Sequence, residues 1–229
     1  MTPPYSKKSF DDIGSFFYDY LKVDDRIMIN YSYLDRGNMD FSDQLIIGED
    51  IDGLVESSPL EEWAINKFLQ TPNSSQIFDI VSKDLTKIAK RLRNDDGLIN
   101  STYLHGNCMP GQRRLYVTTS GEFRVCEKTG NAAILGDYKN GYDFDNIYKI
   151  YYEDYIEYFS KICKNCWAQN LCAICYEKTM GENGVIEGIE ENVCPGARRV
   201  IRDGFINYYR LLENDEELLR EYIEKYEFE

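Results

Sequence analysis

Four of the chain's seven cysteines fall between Cys163 and Cys175, in the stretch CKNCWAQNLCAIC, with the spacing Cys-x2-Cys-x5-Cys-x2-Cys. One tight turn can aim two thiolates two residues apart at a single metal centre, and knuckles of this kind are a common way to build sulfur-ligated sites. Cys108 and Cys126 lie upstream and Cys194 lies downstream. The N-terminal MTPPYSKKSF has no apolar core and no cleavage site, so a secretory leader is not expected. A cytoplasmic location follows as the expectation, and in that reducing setting an odd number of cysteines points to metal ligation and away from a disulfide framework.

Other function classes are excluded or left without support by composition. A formal net charge of −14 argues against a nucleic-acid partner, which requires a basic face. No apolar run approaches the roughly 20 residues of a membrane span, so no membrane partner is expected. With one histidine in the chain there is little room for Ser/His/Asp chemistry, and no phosphate-cradling glycine loop is present. The acidic surface suits solubility and a basic or neutral peptide partner.

Read in order, the pattern predicts an α+β chain. Phe10, Ile13, Phe16, Phe17, Tyr20 and Leu21 repeat at helical spacing, and RIMINYSYL at 26–34 reads as a strand. That single helix–strand unit suits a piece of an α/β layer, and a further short strand is expected at Leu45–Ile47. Pro59 opens a helix to about Gln70, and a second helix is expected over 76–93, with Ile77, Ile80, Val81, Leu85, Ile88 and Leu92 on one face. Residues 108–128 read as a β-hairpin, with RLYVTT and EFRVCE as strands and Ser120-Gly121 as the turn. A helix from about Asp143 to Lys161 leads into the knuckle. An exposed loop, MGENGVIEGIEEN, follows, then Cys194 just ahead of a helix at about Ala197–Leu212 and a last acidic helix at Asp215–Tyr226.

The order Cys108-x12-Gly121-x4-Cys126, then the knuckle, then Cys194 resembles a SPASM domain. Such domains are C-terminal extensions of radical S-adenosylmethionine enzymes that mature ribosomally made peptides, and they hold auxiliary [4Fe–4S] clusters. CMPGQRRLYVTTSGEFRVCEK and CWAQNLCAIC are most similar to the peptide-maturase branch, which builds thioether and related crosslinks. The resemblance covers roughly residues 100–195. It divides the chain into a partial (β/α) barrel remnant at 1–58, a helical bridge at 59–100, the SPASM-like domain at 101–195 and C-terminal helices at 196–229.

By position, the resemblance implies two [4Fe–4S] clusters. Cys163, Cys166, Cys172 and Cys194 would hold the distal one. Cys108, Cys126 and Cys175 would hold the other, one ligand short, with His105 or a substrate thiolate as the possible fourth. The implied role is electron transfer or substrate binding, with a precursor peptide as partner. Two departures stand out. The gap from Cys172 to Cys175 has two residues where the family usually has three. The Cys-x3-Cys-x2-Cys motif that anchors the S-adenosylmethionine-cleaving cluster is absent. The resemblance therefore implies a chain that is not catalytic alone and that meets S-adenosylmethionine only in a full-length enzyme or with a chain carrying the radical half.

The residues themselves also allow plainer readings. All-sulfur ligation suits structural zinc as well as iron–sulfur clusters, so a stand-alone zinc or Fe–S module recruiting a peptide or protein stays open. Arg113 and Arg114 are either cluster or substrate electrostatics or solvated strand positions. Trp167 is expected to be a hydrophobic cover over the knuckle.

Overall fold

The computed structural model describes residues 59–70, 75–93, 108–112 and 114–227, together with Asp11, Asp12, Ser15, Phe16 and Tyr20. The strands expected at 26–34 and 45–47 lie outside the described residues, as does most of the first helix. The fold is mixed helix and sheet, with small antiparallel sheets. Two compact units form, one from Met1–Asn94 with Arg202–Glu229 and the other from Asp95–Ile201.

The first unit is helical. Helix α1 (Pro59–Gln70) begins on proline, whose missing N–H costs nothing in a first turn, and carries Glu61 and Glu62 early and Lys67 late, complementing the helix dipole. Helix α2 (Ser75–Arg93) buries Val81, Leu85, Ile88 and Ala89, the face expected from the sequence. From the C-terminal part of the chain come the end of α6 (Glu190–Asn214) and α7 (Glu216–Glu227). The break between them is Asp215, whose carboxylate accepts from Leu218 N at 2.9 Å and caps α7. Trp63, Ile65 and Phe68 of α1 pack with Leu211, Leu219, Tyr222 and Ile223, and Phe68 meets Tyr222 edge-on at 4.9 Å.

The second unit opens with a four-stranded antiparallel meander, β1 (Tyr116–Val117), β2 (Glu122–Arg124), β3 (Gly136–Asp137) and β4 (Gly141–Tyr142), in the order β1-β2-β3-β4. The expected hairpin is its first half, with Tyr116 opposite Arg124 and Val117 opposite Phe123. Gly121 closes that turn at φ +87, and a Cβ there would lie 2.2 Å from the Tyr138 ring, so only glycine fits without displacing it. The second half was not read from the sequence. There Gly136 approaches Gly141 so closely that a Cβ would lie 2.0 Å from its carbonyl oxygen.

A long helical segment follows as α3 (Phe144–Tyr148), a π-helical turn (Lys149–Asp154) and α4 (Tyr155–Cys163). Asp143 caps its start by accepting from Asn146 N at 3.0 Å. Tyr151, Tyr155, Phe159 and Cys163 recur every four residues, and all are buried. With Tyr176 they form an aromatic core, in which Tyr155 and Tyr176 meet edge-on at 4.9 Å and the Tyr151 hydroxyl donates to the Ala133 carbonyl. The periodicity that fills the core thus ends on the first knuckle cysteine.

Two expectations are corrected here. MGENGVIEGIEEN is not a plain exposed loop: after the short helix α5 (Tyr176–Thr179), β5 (Met180–Gly181) and β6 (Gly184–Val185) pair as a hairpin, with Met180 and Gly184 buried. Helix α6 starts at Glu190, not near Ala197, so Cys194 and Pro195 lie inside it. The chain is already wound ahead of Pro195, where Glu191 N and Asn192 N donate to the Gly188 and Ile189 carbonyls at 3.2 and 3.1 Å.

Candidate metal centre

The knuckle is built from consecutive tight turns. Cys163 is the last residue of α4, and Cys166 N donates back to its carbonyl at 2.9 Å. Gln169 N then donates to Cys166 O at 3.1 Å, and Cys172 N to Gln169 O at 3.3 Å. Cys175 sits in extended backbone immediately before α5, whose Lys178 N and Thr179 hydroxyl both donate to its carbonyl. Cys194 enters from α6. Its approach is fixed by Tyr158 of α4, whose hydroxyl accepts from Gly188 N at 2.7 Å and donates to the Glu190 carboxylate.

These elements bring Cys163, Cys166, Cys172 and Cys194 onto the wall of one recess that is partly open to solvent. Ile162, Ala168, Ile174 and Ala197 make the rest of that wall apolar, leaving Gln169 and Arg198 as its other polar members. Burial pushes the Cys163 thiol up to about 12; neighbouring Cys172, Cys194 and Cys166 add to this, and Arg198 opposes it. Burial likewise raises Cys194, while Arg198 pulls it back and Cys172 and Cys166 push in the same direction as burial. Bare thiols crowded in an apolar wall resist ionising together, and a bound cation is what would favour all four thiolates.

The remaining three cysteines are not part of that recess wall. Burial raises the Cys175 thiol, and Cys126, Glu177 and Cys108 act on it in the same direction. Cys126 follows β2, in a turn clamped by Thr129, whose buried hydroxyl donates to the Cys126 carbonyl at 2.9 Å and accepts from its N–H at 3.3 Å. Cys108 is exposed. His105 and Arg113 lie outside the described residues. Among the described residues no group of three or more His, Cys, Asp and Glu side chains is arranged to hold a metal ion. The fold supplies a shared recess and a partition of the thiols.

Arg114 pairs with Glu127 at 3.6 Å, both largely exposed, which is the solvated-strand reading of that residue. Trp167 does not cover the knuckle: it is 60% exposed and absent from the recess wall, whose buried members are Cys163, Ala168 and Ile174. Two residues were missed. Arg198 stands four residues after Cys194 in CPGARR, a helical i, i+4 relation hidden while α6 was expected to start later. Thr129, three residues after Cys126, is a side-chain clamp that Cys-x2-Thr could have suggested.

No helix among the described residues is long and apolar enough to cross a membrane. Comparison with known proteins found no matching family model, no significantly similar curated protein and no matching solved structure.

Proposed function

We propose that Asp95–Ile201 is an auxiliary iron–sulfur domain of the SPASM kind. Its donor chemistry suits the group: four thiols line one largely apolar wall with a single arginine, and the other three cysteines lie in the same unit. Cys163, Cys166, Cys172 and Cys194 hold one [4Fe–4S] cluster, and Cys108, Cys126 and Cys175 hold the other. The observation that carries this reading is the recess, which unites three knuckle cysteines with Cys194 and leaves Cys175 out. That division is the one the resemblance implies.

More specifically, the chain is the C-terminal part of a radical S-adenosylmethionine enzyme that matures ribosomally made peptides by thioether-type crosslinking. Residues 1–58 are then the end of its partial barrel. The clusters supply electron transfer, or an open iron for a substrate sulfur. This chain's residues bind and shield them: apolar side chains restrict water around the four-thiol set, and Thr129 fixes the backbone of Cys126. A precursor peptide is the partner, and S-adenosylmethionine chemistry belongs to the segment bearing the missing three-cysteine motif. Anaerobic reconstitution tests the reading: about eight irons and as many sulfides per chain are expected from two four-iron clusters. Stoichiometric zinc without cluster uptake would refute it.

A further inference from the structure

We propose that Arg198 is the counter-cation of the four-thiol recess and raises the reduction potential of the cluster held there. The inference rests on the iron–sulfur reading above. Arg198 and Cys194 lie four residues apart on α6, one helical turn, so they share a face. Both line the recess with Cys163, Cys166 and Cys172, and Arg198 is the one charged residue of its wall.

A cluster held by four thiolates is anionic and becomes more so on accepting an electron, so a fixed cation at the wall stabilises the reduced form more than the oxidised one. Arginine suits the task because its guanidinium stays charged throughout the working pH range. No other lysine, arginine, aspartate or glutamate lines the recess, so Arg198 is the one side-chain charge on its wall.

The test compares wild-type protein with Arg198→Gln, Arg198→Lys and, as a control on the same helix, Arg199→Gln. All four are reconstituted anaerobically, checked for iron and sulfide, and titrated with dithionite under paramagnetic-resonance detection. Removing the charge is expected to shift the reduction equilibrium of one cluster about tenfold toward the oxidised form, about 59 mV for one electron. The other cluster should stay in place, and Arg198→Lys should recover most of the shift. Full iron and sulfide with unchanged potentials in Arg198→Gln overturns the role of Arg198 and leaves the iron–sulfur reading standing. A Lys variant that falls as far as Gln also overturns it. Zinc in place of iron and sulfide in the wild type overturns both.

Discussion

Glu61→Gln should stabilise the helical unit at neutral pH and remove a pH dependence from it. Glu61 lies on α1, largely buried, with Asp84 of α2 and Asp203 of α6 nearby. Burial first, then those two carboxylates, raise its carboxyl from 4.5 to about 7. Arg202 pairs with Asp203 at 3.2 Å and offsets only part of this negative charge. Between pH 4.5 and about 7 the folded state holds a proton that the unfolded chain has released. Stability therefore falls as pH rises through that window, and the penalty is complete above it.

At about 1.4 kcal/mol per pH unit the ceiling is about 3 kcal/mol. Glu61 keeps some contact with water, and screening reduces the figure to roughly 1–2 kcal/mol. The assay is anaerobic urea unfolding from pH 5 to 8, in a Trp167→Phe background that leaves the buried Trp63 as the one tryptophan reporter. Glu61→Gln should match its parent at pH 5 and exceed it by roughly 1–2 kcal/mol at pH 8. A difference that does not grow with pH, or a variant less stable at pH 8, would refute the reasoning.

Gly121→Ala should cost about 1–3 kcal/mol in urea unfolding, because its φ of +87 and the Tyr138 ring 2.2 Å from a new Cβ both oppose a side chain; a neutral result would sink the turn argument. Tyr158→Phe removes the hydroxyl joining α4 to the start of α6, and a loss of about 1–2 kcal/mol is expected, measured the same way. A peptide containing cysteine should perturb the paramagnetic spectrum of one reduced cluster only. If the proposed open iron is the one held by Cys108, Cys126 and Cys175, Cys126→Ala should abolish that response and Cys194→Ala should preserve it; a spectrum indifferent to the peptide would count against an open site.

What could be read directly from the residues was what local spacing determines. Pro59, the apolar period through Val81, Leu85 and Ile88, and the turn at Gly121 act over a few residues, and each reappears in the fold. Strands β3 and β4 were hidden because each has two residues, flanking a turn tip where Asp137 accepts from Lys139 N and Asn140 N; nothing alternates in GDYKNGY. The expected start of α6 near Ala197 falls seven residues late, because backbone bonds from Gly188 onward already wind the helix at Glu190. That displacement concealed Arg198. The meeting of Cys194 with knuckle cysteines 22–31 residues upstream on one recess wall is a tertiary fact. It depends on the Tyr158 clamp, whose bonds span 30 and 32 residues and leave no local mark.

The central claim is that seven cysteines make two separate cluster sites. Its most direct test is anaerobic iron and sulfide content of the wild type beside Cys166→Ala/Cys172→Ala and Cys126→Ala/Cys175→Ala. The account expects about eight irons in the wild type and about four in each double variant, each retaining the spectrum of one cluster. Stoichiometric zinc in the wild type, or loss of all iron from both variants together, would contradict it.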